Sequence, residues 1–310
     1  MIEEIRYHHR TRNYAMEQRK RADLSLLSFL RIQLGWSRSL PDAERKRIAE
    51  EAKALVTNPT DEWAPVIAAS LAARAPFDAV EKAAAKEMER LAKQLPVWDA
   101  WAKDTRGCGA RSLAVIVGEA GDLSNYPKKG HLWKRMGVAV VGDVRQGGLS
   151  KNAPAAAWIE HGYNRQRRSR MWTIGDSMLK AQGPYREIYL ARKDYERQQA
   201  EAAGLTVAPS AKIPKARAAE FMSDGHIHRR AQRYMEKQFL RDLWVAWRRA
   251  VQEMSDRTRP RVPADILDAF DADMQATYDK IVEGSEGHGH VADKACGRMP
   301  DSPQRFALTE

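Results

Sequence analysis

The sequence predicts a mainly α-helical protein: a helical bundle or coiled-coil arm, then a domain built around a helix–hairpin–helix that carries one small β-hairpin. Three observations predict it. Apolar residues recur at three- and four-residue spacing along most of the 310 residues. No strand-like alternation of apolar and polar residues appears before residue 100. The only plausible strands are short, at Val138-Ala-Val-Val141 and around Val144.

The first element, Ile2 to about Leu34, reads as one long helix closed by Gly35. Its first half is basic and aromatic, and its second half carries the stripe Leu24, Leu27, Leu30, Leu34. Pro41 opens a second helix with Ile48, Ala52 and Leu55 on one face. A third starts from Thr60 as N-cap and runs through Trp63, Ile67 and Leu71. A fourth begins near Pro76, with Phe77, Val80, Ala84, Met88, Leu91 and Leu95 in helical register. Residues 1–95 are therefore expected to form an all-helical arm. Residues 96–258 form the second domain, and 259–310 an acidic helix near Ala264 to Val282 with a disordered Gly/His-rich end.

Within the second domain, Gly142-Asp143 between the two valine runs suits a type II′ turn, which places glycine first. A helix from about Arg167 to Lys180 ends at Gly183-Pro184, and another carries Tyr185, Ile188, Tyr189, Arg192 and Tyr195. Residues 204–219 are Ala-, Pro- and Lys-rich and read as a mobile linker. A long helix from Asp224 to about Arg257 buries Tyr234, Leu240, Leu243, Trp244, Trp247 and Val251.

Composition narrows the function. The chain is 43% hydrophobic and 30% charged, which places it among folded proteins and not disordered ones. It has 52 Lys+Arg against 41 Asp+Glu. From Val262 onward there are 4 basic and 10 acidic residues, leaving 48 basic and 31 acidic residues in the body. Such a body attracts polyanions at long range, and the acidic tail is positioned to shield it. Two cysteines, Cys108 and Cys296, are too few for a disulfide framework and suit a reducing cytosol. With no apolar run of the roughly 18–20 residues a membrane span needs, and no signal-peptide pattern, a cytoplasmic protein is expected.

Three constellations carry chemistry. The run from Thr105 to Gly121 places Gly107-Cys108-Gly109 ahead of a helix that starts at Ala110 and buries Leu113, Ile116 and Val117. Two glycines permit a tight turn and a close approach, and the free amides of the following helix favour a phosphate. Arg106 and Arg111 flank this clamp. The second constellation is Asn164-Arg165-Gln166-Arg167-Arg168-Ser169-Arg170, beside Tyr163 and Trp172. The third is His226-Ile-His228-Arg229-Arg230-Ala-Gln-Arg233, continued by Lys237 and Arg241. Solvated helix faces also look like these runs, so each is ambiguous singly. His226 with His228, and His288, His290 with Cys296, are the candidate metal ligands. Their spacing matches no familiar site, so no metal and no cofactor is expected.

Gly107-Cys-Gly109, then Gly121-Asp-Leu-Ser-Asn-Tyr-Pro127, then His131-Leu-Trp-Lys-Arg-Met-Gly137 resembles the C-terminal domain of insertion-sequence transposases. These are the bridge-RNA-guided recombinases that pair a RuvC-like DEDD domain with a serine domain. The likeness continues through Gly162-Tyr-Asn-Arg165 with Arg168, through Tyr185 to Tyr189, and into the helix from His228, covering most of residues 1–250 discontinuously. The basic first helix is similar to the family's coiled-coil linker, and the DEDD domain has no counterpart here. The resemblance implies DNA binding, a possible structured RNA, and a homodimer or larger oligomer. It places the catalytic serine in the loop Asp143-Val-Arg-Gln-Gly-Gly-Leu-Ser150, where Ser150 would act with Arg145, Arg165 and Arg168; Ser169 is the second candidate. Three functions stay open: a stand-alone nucleic-acid-binding half, a serine recombinase completed by a partner in trans, and a structural or adaptor protein of a mobile element or phage.

Overall fold

The computed structural model describes residues 1–258, which run as nine α-helices and two short strand pairs. The expected acidic tail helix lies outside the described residues. In order come α1 (Ile2–Gln33), α2 (Asp42–Thr57), α3 (Ala64–Ala92), α4 (Ala110–Ala120) and α5 (Lys129–Arg135). The hairpin β1 (Val140–Val141) and β2 (Val144–Arg145) follows, then α6 (Ala155–His161), α7 (Arg165–Ala181) and α8 (Pro184–Ala202). Strand β3 (Thr206–Ala208), strand β4 (Phe221–Ser223) and α9 (Asp224–Thr258) complete the fold. The fold is mainly α with a small antiparallel hairpin, as the sequence predicts.

α1 ends as expected. Gly35 sits at φ +81°, its N–H donates to Ile32 O, and the Trp36 N–H reaches back to Arg31 O, the pattern of a Schellman cap. α3 lies antiparallel to α1, as the pairs Arg12–Glu81, Arg19–Glu81, Arg74–Asp23 and the Phe29–Trp63 ring contact show. The break expected near Pro76 does not occur: the third and fourth predicted helices are one, α3, with Pro76 inside it. An interior proline costs about 3 kcal/mol. α3 packs along the length of α1 through this stretch, and Arg74 bridges Asp23 at 2.8 Å and Asp78 at 3.0 Å across the proline, pairs worth at most about 1 kcal/mol each at this exposure.

Two apolar clusters hold the fold. A small one joins Leu26 and Leu30 of α1 to Ala52 of α2 and Ile67 of α3. The main core surrounds α4, whose Leu113, Ile116 and Val117 are fully buried, each such side chain contributing about 1.5–3 kcal/mol. Ile5 of α1 and Met88, Leu91 and Leu95 at the end of α3 belong to that same core, with α7 and α9. Residues 1–95 are therefore packed into the second segment, and residues 1–256 form one unit. Three tryptophans tie α9 to the chain after α4: the indole N–H of Trp133 donates to Lys237 O, that of Trp244 to Tyr126 O, and that of Trp247 to Asp122 Oδ1.

Other expectations change in detail. Gly142 and Asp143 both have positive φ, so the hairpin turn is type I′ and not II′. The Ala/Pro/Lys-rich stretch is built: β3 pairs in parallel with β4, Val207 opposite Met222. That pairing joins residues without local alternation to reveal them. On α9 the buried residues include Ile227, Ala231, Met235, Phe239, Leu240, Leu243 and Trp247, whereas Tyr234 and Val251 are each 37% exposed. No described helix is long and apolar enough to cross a membrane.

Candidate nucleic-acid interface

The glycine clamp forms where expected, but its two glycines face different ways. Gly109 caps α4 and borders open space. Gly107, at φ +91°, faces the protein: a Cβ there would lie 2.8 Å from the Met178 Cα, so its role is to let α7 approach. Arg106 is exposed and packs over Gly183, and exposed Arg111 pairs with Glu89 of α3. The clamp as a pair of glycines on one partner is thus corrected to a single open glycine beside two exposed arginines.

The α7 run is also divided. Asn164 is the N-cap of α7, its Oδ1 accepting the Arg167 N–H at 2.9 Å, so its side chain is committed to the helix. Arg167 and Arg170, one turn apart, both turn to Glu119 of α4. His9 of α1 completes that joint, its Nε2 standing 2.9 Å from Glu119 Oε1. Burial, then Arg170 and Arg12, hold the His9 imidazole down to about 4, so it is neutral at pH 7. Arg167 and Arg170 therefore tie α7 to α4 through Glu119. Arg165 stays exposed, and Arg168 turns to the opposite side of α7.

On that side the α7 and α9 runs meet each other and Arg145 of the hairpin. Arg168 reaches Glu236 of α9 at 2.7 Å. Arg233 lies half-buried one turn before Glu236. Burial, then repulsion from Arg168 and from Arg145 on β2, lowers its guanidinium to about 10. His226 is held down by burial and then by Arg230, Arg229 and Arg145. Arginines from the hairpin, α7 and α9 thus act on one another, although 88 positions separate Arg145 from Arg233. Among the described residues no carboxylate forms an ion pair with Arg145, Arg165, Arg229 or Arg233, and Arg230 pairs with Glu196 at 3.0 Å.

Beneath the arginines lies Glu236, fully buried. A Cβ on Gly175 of α7 would stand 2.7 Å from its Oε1, so a glycine is what brings the two helices together over it. Burial pushes the Glu236 carboxyl up to about 7, while Arg168 and Arg233 pull against that rise. The carboxylate beneath Arg168 and Arg233 is therefore poorly charged at neutral pH.

The hairpin that carries Arg145 is pinned from within by Gln146. Its Oε1 accepts the Ala139 N–H, and its Nε2 donates to the carbonyls of Lys134 and His161. Comparisons with protein-family models, with curated proteins and with solved structures return no match to this chain.

Ser150 sits on the exposed loop after β2, where its Oγ accepts the Asn152 N–H at 3.3 Å. It has no side-chain base as a hydrogen-bond partner among the described residues. Ser169 lies on an exposed face of α7, and its carbonyl accepts from Thr173. Among the described residues no group of three or more His, Cys, Asp or Glu side chains is placed to hold a metal. The Nδ1 of His228 instead meets the Tyr189 hydroxyl at 2.8 Å; His288, His290 and Cys296 lie outside the described residues. The anchors Glu119, Gln146 and Glu236 are what the sequence reading missed. A lone acid inside the apolar α4, and Glu236 one residue after the buried Met235 in the α9 stripe, were the available signals.

Proposed function

We propose that this chain binds nucleic acid, duplex DNA foremost, as a protein of the insertion-sequence transposase type whose C-terminal half it resembles. One observation carries the reading: Arg145, Arg168 and Arg233 come from three sequence segments to act on one another above the buried, poorly ionised carboxyl of Glu236, and Arg145 also acts with Arg229 on His226. Uncompensated guanidinium groups repel one another, and a row of phosphates is the ligand that relieves that repulsion while releasing counterions. Trp172, 44% exposed, lies one turn after Arg168 on α7 and offers an aromatic surface for a splayed or terminal base.

The test is fluorescence anisotropy with labelled duplex DNA between about 50 and 200 mM salt, where each phosphate contact contributes roughly −0.9 to the slope of log K against log salt. A slope of about −3 or steeper is expected. Replacing Arg145 and Arg233 together by alanine is expected to reduce it by roughly 2. An absence of binding at low salt, or a slope indifferent to that double substitution, overturns the proposal.

A further inference from the structure

Away from the arginine cluster, α1, α4 and α7 enclose a cleft of about 440 Å³, a size typical of small-molecule sites. Its walls carry four cations, Arg12 and Lys20 from α1, Arg111 from α4 and Arg170 from α7, against one carboxylate, Glu17. Each cation is steadied by an acid: Arg12 by Glu81, Lys20 by Glu17, Arg111 by Glu89 and Arg170 by Glu119. Of these acids only Glu17 lines the cleft, so the other three orient the guanidinium groups from outside it. A guanidinium has five N–H donors and a carboxylate occupies one or two, so donors remain for a ligand. Burial first, and then Arg12, hold the Arg170 guanidinium below its usual value, and Glu17 opposes that shift.

The remaining walls are not uniform. Ser112 is the third residue of α4, where backbone amides lack intrahelical acceptors and the helix dipole is positive. The hydroxyls of Ser112 and Ser169 make no hydrogen bond to a described residue, so both can donate into the cleft. Thr173 and Ser177 instead donate to carbonyls four residues back, each at 3.1 Å, and so offer lone pairs. Met16, Val115 and Ile174 supply apolar surface. Cations and donors suit a dianionic phosphate; acceptors with apolar surface suit a body bearing N–H groups and a flat apolar face.

We propose that this cleft binds a phosphate monoester of nucleotide size, supplied either as a free mononucleotide or as the 5′-phosphate end of a strand. The inference uses none of Arg145, Arg229 or Arg233, so it stands apart from the duplex-binding reading.

Calorimetric titration of the full chain with AMP, adenosine and inorganic phosphate tests it, alongside one oligonucleotide with and without a 5′-phosphate. Saturable one-to-one binding of AMP but not adenosine assigns the free nucleotide. At least roughly tenfold tighter binding of the 5′-phosphorylated strand than of its 5′-hydroxyl twin assigns the strand end. Ser112→Asp puts a carboxylate at the phosphate position, and an acid in the first helical turn is compatible with the fold; it is expected to weaken the phosphate ligand at least tenfold. Lys20→Glu, on the exposed rim, is expected to act in the same direction and guards against a folding defect in the first variant. Arg145→Ala/Arg233→Ala is expected to keep AMP binding, which separates failure here from failure of the duplex reading. Equal binding of AMP and adenosine with no preference for a 5′-phosphate, or binding unmoved by both cleft substitutions, overturns the proposal. So does an absence of AMP and 5′-phosphate recognition up to about 1 mM.

Discussion

Glu236→Gln is expected to change the pH dependence of stability in a defined direction. In the folded protein the carboxyl is held at about 7 against an ordinary 4.5, chiefly because it is fully buried. Between those two values the native state keeps a proton that the unfolded chain releases, so the group's effect on stability becomes less favourable as pH rises. Below about pH 4.5 both states are protonated and the penalty is absent; above about pH 7 it is complete. At roughly 1.4 kcal/mol per pH unit the full penalty is about 3 kcal/mol. Glutamine has nearly the shape of the protonated acid and carries no titration. Urea unfolding of both proteins from pH 4.5 to 8 measures the difference in stability between variant and wild type. That difference is expected to rise by about 3 kcal/mol in favour of glutamine over this window. Surface carboxylates titrate alike in both proteins and cancel. A flat difference, or one that falls with pH, refutes the reasoning. It would mean that the pair with Arg168 outweighs the cost of burial.

Two further substitutions test the joints that aim the site. A Cβ at position 118 would lie 2.4 Å from the His9 ring, so Gly118→Ala is expected to cost about 3 kcal/mol in urea unfolding; adding His9→Ala should return much of that, giving a coupling well outside additivity. Gln146→Leu leaves the Ala139 N–H and two carbonyls without their partner and is expected to cost about 3 kcal/mol, with amide exchange accelerated first at Ala139.

Much of the fold was legible because its signals are local. α4 is bracketed by Gly109 and Gly121 around an apolar run, and the α1 cap is written in Gly35. The continuity of α3 through Pro76 was not legible, since α3 packs there against α1, whose Asp23 lies 51 positions away from Arg74. The β3–β4 pair was hidden for the same reason: its partners lie 15 residues apart, across two short helical turns. For the site, the arginine runs were visible but their orientations were not. Whether Arg167 faces solvent or Glu119 depends on an acid 48 positions earlier in the chain. A helical wheel of α7 puts Arg167 and Arg170 on one face and Arg168 on another; only the packed neighbours say which face meets an acid and which stays open.

Because Arg168 serves both a buried acid and the open cluster, duplex binding is expected to be linked to protons. A phosphate entering among Arg145, Arg168 and Arg233 competes with Glu236 for Arg168. When Arg168 turns outward, Glu236 loses the attraction that opposes its desolvation, and its carboxyl rises further above about 7. At pH 7.5 the free protein holds only a fraction of a proton there, so binding should take up part of a proton and should weaken as pH increases. Binding enthalpies in two buffers of different ionisation enthalpy measure that uptake. His226 also gains protons when phosphate relieves the arginines that depress it, but it does so in both proteins. Glu236→Gln should therefore remove the larger part of the uptake and leave the His226 part. Identical proton uptake by wild type and Glu236→Gln would show that Arg168 stays with its acid when DNA binds, and that the cluster meets phosphate through Arg145, Arg229 and Arg233 alone.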